Sequence, residues 1–542
     1  MKKTISLASL FLLFLPYLPA ITPPRLTVVC VVDQFSQWTW DRAKPFLRGG
    51  IRTLAQSGKM FDHAYYPHAR PATACGHTAL NTGAFAQDHG MVANTWQNKQ
   101  GKVVQCDDDA SAPVFSKNGL HSYGKSAKHI LIPGISQAAT EKGYAVVSLS
   151  HKSRSSICMA GNSGTALWFD DKEGRFTTSK AYAATKPRML EAYNVILEKY
   201  LHNSSHIEWK SLYPLDDPAY NFSFVDDYRF AHPQPLINKK TALPKTLKKR
   251  SQLYLQTPHS CQALLNLALL HARMHHKEKP DTPLLLWISL SSLDILGHYY
   301  GPDSREAIDM IYQIDKQLQT FIKRIEKTYS PQETVWALTS DHGILSIPEL
   351  IKSYSHKPQR INAADLIEQL NRYIYRRYNV KNLVTHFDIP YFYFNQDRWN
   401  LLSQEKQDLL LKECKHMLEQ HPAIVHAWSY HDLSAGSFER LYGAGSRQTW
   451  FEKQYYAPRC GELCIMSAPY AYITMYDKGT SHCSPYDYDV RVPLLIKGSG
   501  RILPGSCQDH VSMRRLAPTL AHILDLPALP HAPLQPLVKT PF

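Results

Sequence analysis

Beyond its first twenty residues the chain lacks any stretch of the ~18 uninterrupted apolar residues that a membrane-spanning helix requires, so no transmembrane span is expected in the mature protein. Internal repeats and low-complexity tracts are absent too, and with them the case for a repeat architecture. No second closely spaced Cys/His pair accompanies Cys460 and Cys464, which argues against a zinc ribbon and leaves those two as the most local candidate disulfide among ten cysteines. Negative charge is scarce: 61 Lys and Arg face 46 Asp and Glu, a net charge of +15 that suits anionic partners such as phosphorylated substrates, nucleic acid or an acidic membrane surface. The densest basic cluster, Lys239, Lys240, Lys245, Lys248, Lys249 and Arg250, has neither interleaved aromatics nor a nucleic-acid motif. It reads as a solvated loop, and nucleic acid is not an expected partner.

What is present is a globular composition: 44% hydrophobic, 11% aromatic and 20% charged residues over 542 positions, enough for a sizeable core and, by length alone, two or three domains. Residues 1–20 place Lys2 and Lys3 before an apolar run from Ile5 to Leu15 and small residues ending at Ala20. That order predicts a signal peptide and a soluble, periplasmic or secreted mature protein, with an uncleaved anchor as the alternative because Leu18 stands where a smaller residue usually precedes cleavage.

Leu26–Val32, a continuous apolar run with β-branched bias, is predicted as a strand buried on both faces, and Tyr144–Ser150, Leu284–Leu290 and Thr334–Thr339 read as further core strands. Val490–Lys497 is read as a final strand, Pro493 marking either an edge or a strand start. Helical pattern falls at Gly49–Gly58, Ser136–Lys142, Gln262–Met274, after Asp303 with a candidate Asp303/Glu306 capping box, and at Ser512–Leu526. Strands alternating with amphipathic helices predict an α/β sandwich around a largely parallel sheet. Two regions of weak periodicity, about 200–255 and 345–470, read as insertions, the second covering the site.

The chemistry-bearing residues follow strands or lie in loops. Asp33 ends the first strand, where ligands collect in open α/β sheets, although a lone Asp there also serves as a turn residue. In PATACGHTALNTG a helix of about two turns is predicted from Ala74 to Thr82, stopped by Gly83. Thr73 stands where a hydroxyl would cap it, beside N–H groups that suit phosphate, so it is either a cap or a nucleophile. Asn94 is a turn residue or a donor to a phosphate oxygen. Lys152 and Arg154, two apart past a strand, would project to one side of an extended segment and could hold one phosphoryl group. Asp294 and His298 share a helical face and could grip one ion, Asp341-His342-Gly343 closes a strand with an acid and an imidazole, and His482 sits in a late loop. Six such ligands suit two metal ions better than one tetrahedral zinc, with Thr73 completing one set.

Seven motifs in order, VVDQ at 31–34, TACGHT at 73–78, ANTW at 93–96, SHKSR at 150–154, DILGH at 294–298, TSDHG at 339–343 and SHCSPYDYDVRVP at 481–493, resemble those of the alkaline phosphatase superfamily. More closely, the pattern is similar to the threonine-nucleophile phosphate-irrepressible alkaline phosphatases, near the nucleotide pyrophosphatase/phosphodiesterases, over residues 25–530. The resemblance implies a three-layer sandwich with two inserted caps. It also implies two zinc ions per chain, one held by Asp294, His298 and His482, the other by Asp33, Asp341, His342 and the nucleophile Thr73. Asn94, Lys152 and Arg154 would hold the phosphoryl oxygens, and turnover of small phosphate monoesters would pass through a phosphothreonine. A monomer is expected. A phosphodiesterase with the same metals is the alternative, disfavoured because two cations match a dianionic monoester best. Cys75 and Cys483 depart from the family pattern beside its key residues. A sulfatase is excluded because Cys75 is followed by Gly-His-Thr rather than a C/S-x-P-x-R sequence, and a phosphoethanolamine transferase because its membrane helices are missing. A binding protein for anionic polymers that had lost catalysis is disfavoured by the presence of all six ligands.

Overall fold

Alternate side chains of Leu26–Val32 (β1) enter two different cores: Leu26, Val28, Cys30 and Val32 pack on one face of the sheet, Val29 and Val31 on the other. That division follows from the period-2 geometry of a strand, and it explains why the run is apolar without alternation. Each Val or Leu buried this way stabilises the fold by roughly 1.5–3 kcal/mol relative to exposure, as an upper bound. The computed structural model describes residues 23–221, 235–351, 358–498 and 502–538. The leader expected at 1–20 lies outside the described residues.

The other strands of the main sheet are Lys59–Tyr65 (β2), Ala145–Ser150 (β3), Thr165–Asp170 (β4), Arg175–Thr177 (β5), Leu284–Leu290 (β6), Thr334–Thr339 (β7), Leu494–Gly498 (β8) and Gly505–Ser512 (β9). They lie in the order β9-β2-β8-β7-β1-β6-β3-β4-β5. The centre, β7-β1-β6-β3-β4, is parallel throughout, while β8 runs antiparallel to both β7 and β2. Helices Gly50–Ser57 (α1), Pro258–Glu278 (α4) and Arg305–Ile325 (α6) cover one face; Thr73–Thr82 (α2) and Leu516–Ile523 (α7) cover the other. Two shorter helices, Ser153–Ala160 (α3) and Ser292–Tyr300 (α5), follow β3 and β6. The expected α/β sandwich with a largely parallel sheet is therefore present.

Register is what gathers the site. Val32 pairs with Leu290, Val31 with Thr339 and Ser289 with Ser150, so four parallel strands end at one level. Asp341, Asp33, Asp294 and Lys152 follow those ends side by side, at the carboxyl edge where α/β sheets bind ligands.

Several local expectations are corrected. The helix after Asp303 is capped by Ser304, whose hydroxyl accepts from Ala307 N at 3.1 Å, while Asp303 accepts from Arg42 and Glu306 from Leu236 N. Of the two readings of Pro493 the strand start holds and the edge does not, since Leu494 opens an interior strand; β9, exposed along most of its length, is an edge that its polar sequence concealed. All ten cysteines are free thiols, Cys460 and Cys464 included. The region after β5 packs onto α6, where Trp209 Nε1 and Leu212 N donate to Asp309 at 2.6 and 2.7 Å. The later region carries its own antiparallel sheet, Val384–Asp388, Tyr391–Phe394, Leu463–Ser467 and Ile424–Ser429, backed by helices Ala363–Tyr378 and Gln404–Glu419. Among the described residues no helix is long and apolar enough to cross a membrane.

Candidate metal centre and nucleophile

Ala72, not Thr73, is the N-cap of α2, and it contributes no side-chain bond. The capping role falls to Asn94, whose Oδ1 accepts from Ala74 N at 2.9 Å. This corrects the reading of Thr73 as a cap and has a chemical consequence: its hydroxyl is left uncommitted at the positive end of the helix, with Lys152 Nζ 3.5 Å away. Asn94 has spent its carbonyl oxygen, so its amide N–H groups remain available to an anion. Gly76 is required in α2 because a Cβ there would stand 2.3 Å from the carbonyl oxygen of Asp341. The Thr73 helix thus lies directly against the Asp341 loop.

The six predicted ligands fall into two groups. Nitrogen and oxygen atoms of Asp294, His298 and His482 lie within 4.8 Å of one another, and so do those of Asp33, Asp341 and His342. Each histidine spends Nδ1 on a backbone carbonyl: His298 on Thr480 at 2.9 Å, His342 on Gly343 at 2.9 Å and His482 on Pro71 at 2.7 Å. That fixes the tautomer with Nε2 as the free lone pair, the usual arrangement around a metal-binding imidazole. His342 Nε2 points at Asp33 Oδ1 and Asp341 Oδ2, 3.6 and 3.3 Å away. All three atoms are buried without a hydrogen-bond partner. His77 Nδ1 is 3.2 Å from Asp341 Oδ2 but its closer partner is the Thr73 carbonyl at 2.8 Å. Orphaned buried donors of this mixed N/O type are costly to a fold unless a cation completes them, so the residues fit divalent metal.

Electrostatics agree. Burial would raise all three acids, and Asp33 is indeed pushed up, the neighbouring Asp294 and Asp341 adding to the effect. At Asp294 burial is overcome by Lys152 and His298, and at Asp341 by His342 and His77, so both stay ionised well below the usual carboxylate range. Burial, then His342 and His298, hold His482 below its ordinary value and keep it neutral. Lys152 Nζ bridges Asp33 Oδ2, at 2.7 Å, and Asp294 Oδ2.

Lys152 is itself the N-cap of α3, and Arg154 lies in that helix's first turn, so the two cations are not on an extended segment as expected. The Arg154 charge opposes that of Lys152, and Arg154 Nε is buried without a partner.

Sequence reasoning missed Gln34. It has φ of 73°, its backbone N–H donates to Asp341 Oδ1 at 3.2 Å, and its amide donates to Asp294 Oδ1 at 2.9 Å, tying one ligand group to the other. Asp489 was missed as well. Its Oδ2 accepts from Ser484 N and Oγ at 2.9 and 2.6 Å, and its carbonyl accepts from Gly343 N at 2.7 Å, joining the His482 loop to the Asp341-His342 loop. Burial pushes Asp489 up to about 8. A carboxyl whose folded value lies above its unfolded one stabilises the fold fully below about pH 4 and loses that contribution as pH rises through about 8, on the order of 5 kcal/mol here. Urea unfolding at pH 5 and pH 9 should therefore show a larger loss of stability for the wild type than for Asp489→Asn; parallel losses would refute it.

The sequence matches the family described as Type I phosphodiesterase / nucleotide pyrophosphatase over residues 27–490. The alkaline phosphatase PafA of Elizabethkingia meningoseptica is 25% identical over 533 residues, covering 94% of this chain and 92% of that protein. The alkaline phosphatase PhoV of Synechococcus elongatus is 24% identical over 527 residues, covering 93% and 91%. The crystal structure of wild-type alkaline phosphatase PafA shares the fold with a TM-score of 0.84 at 24% identity, over 96% of this chain and 99% of that one.

Proposed function

Because the chain belongs to the type I phosphodiesterase / nucleotide pyrophosphatase family and is a phosphoric ester hydrolase of the alkaline phosphatase superfamily, we propose that it cleaves small phosphate monoesters through a phosphothreonine at Thr73. Asp294, His298 and His482 would hold one zinc ion, and Asp33, Asp341, His342 and Thr73 a second. When bound, such ions supply Lewis-acid charge and lower the pKa of a coordinated hydroxyl.

The chain's own residues do the rest. Thr73 Oγ1, free of any capping bond, attacks phosphorus in line as its proton passes to solvent, the ester alkoxide leaves, and water then hydrolyses the phosphothreonine. Asn94, Lys152 and Arg154 hold the non-bridging oxygens as charge redistributes over them. The nucleophile and ligands Asp33, Asp341 and His342 are buried, which limits competing water around the phosphoryl group. Export behind a cleaved leader at 1–20, two inserted caps on one catalytic domain and a monomeric state belong to the same reading.

The observation that carries the preference for monoesters is the buried cation beside the nucleophile, Lys152 Nζ 3.5 Å from Thr73 Oγ1, with Arg154 in the first turn of the helix that Lys152 caps and its Nε unpartnered. The family name keeps a diesterase as the rival. The ratio of kcat/KM for an aryl phosphate to that for its methyl diester decides between them on zinc-loaded protein. A ratio well above one is expected; a ratio well below one assigns the same site to diesters.

A further inference from the structure

One carboxylate outside the site grips both strands of chain that present its phosphate-facing groups. Asp388 ends the strand Val384–Asp388 in the later inserted region, at the tip of a hairpin with Tyr391–Phe394. Its Oδ1 meets Arg70 Nη2 at 2.6 Å, and its Oδ2 accepts from Thr95 Oγ1 at 3.1 Å. Arg70 is buried, its side chain 5% exposed, and lies three residues before Thr73. Between them the Pro71 carbonyl accepts from His482 Nδ1. Thr95 directly follows Asn94, whose Oδ1 accepts from Ala74 N. These bonds close a ring that runs from Asp388 through Thr95 and Asn94 to Ala74, back through Thr73 to Arg70, and home to Asp388. Next to the carboxylate, Ile389 packs against Ala72, Cys75 and Cys483, so the hairpin tip also presses on the nucleophile segment itself.

We propose that Asp388 is a positioning residue: it aligns the Asn94 amide with the Thr73 hydroxyl, making the inserted region part of the phosphate-binding geometry instead of a cover over it. The proposal rests on the roles given above to Thr73 and Asn94. Its logic is geometric. Without Asp388, Thr95 loses the partner that fixes the side of the chain from which Asn94 projects, and Arg70 keeps a buried charge without its carboxylate. Displacement of a phosphate-holding amide by a fraction of an ångström is costly because the transition state has little tolerance for misplacement. A carboxylate that only anchored the insertion would affect stability and leave the contribution of Asn94 intact.

A double-mutant cycle separates the two. With zinc-loaded full-length protein and an aryl phosphate, Thr95→Val and Asp388→Asn, both close in shape to the originals, should each lower kcat/KM by about tenfold. In an Asn94→Ala background the same two changes should cost less than about twofold, since the group they aim is gone. Undiminished losses in that background would overturn the proposal, as would full activity of both variants while Asn94→Ala is impaired. If Asn94→Ala itself is fully active, the functional reading of the site fails first, and the cycle reports that separately.

Discussion

Thr73→Ala should abolish phosphoenzyme formation and lower monoester turnover by about four orders of magnitude or more, because the attacking atom is removed and the remaining groups can only orient water. Ala72 is the N-cap and Asn94 caps Ala74 N, so Thr73 Oγ1 is not spent on the helix end and, among the described residues, accepts from Lys152 Nζ at 3.5 Å. Loss of the oxygen should therefore leave the helix and its neighbours in place. The Asp294, His298 and His482 group does not involve Thr73, and Asp33, Asp341 and His342 keep three donors on the other side. Metal content should accordingly persist while acid-quenched protein carries no phosphothreonine, and Thr73→Ser, which restores the nucleophile, should recover activity to within about tenfold of the original. Unchanged turnover by Thr73→Ala would remove Thr73 from the chemistry altogether.

The parts of this site that were legible in the sequence share a physical signature. Asp33, Asp341 and Asp294 stand just beyond apolar runs, and an apolar run buried on both faces can only be a central strand, so a carboxylate past its end is placed by topology before any coordinate is known. The helix stop at Gly83, in the left-handed conformation at φ 70°, was readable for the same reason: few residues other than glycine take that turn. What escaped depends on side-chain partners far away in the chain. Asp388 meets Arg70 across 318 positions, and nothing local marks either residue. Whether Thr73 capped its own helix was undecidable without knowing that Asn94 would do so. The edge strand β9 was missed because an exposed edge needs no apolar face, and its Gly-Ser-Cys-Gln-Asp-His sequence reads as a loop. The extended segment expected to carry Lys152 and Arg154 failed because α3 begins between them, so Lys152 caps the helix and Arg154 stands in its first turn.

Replacing both cations, Lys152→Ala with Arg154→Ala, should depress monoester hydrolysis by about a thousandfold and hydrolysis of the matching methyl diester by about tenfold. Burial opposes the charge on Lys152, but Asp294 and Asp33 outweigh it and raise its pKa, so the ammonium persists across the working range. A monoester dianion presents charged non-bridging oxygens to both groups, whereas a diester carries less charge and has one of those positions blocked by carbon. Lys152 has a second consequence that the experiment must separate, because its ammonium also sits against Asp33 and Asp294. Taking it away alters the charge balance of two metal-binding acids as well as the grip on phosphate, and metal content should be measured alongside rate. Arg154→Ala provides the cleaner half of the argument, since Arg154 makes no ion pair with a ligand carboxylate among the described residues. If Arg154→Ala alone lowers the monoester-to-diester ratio with zinc fully retained, discrimination comes from charge at the phosphoryl group. Equal losses for the two substrates would mean that the cations serve the metal-binding acids, and the reason for preferring monoesters would be gone.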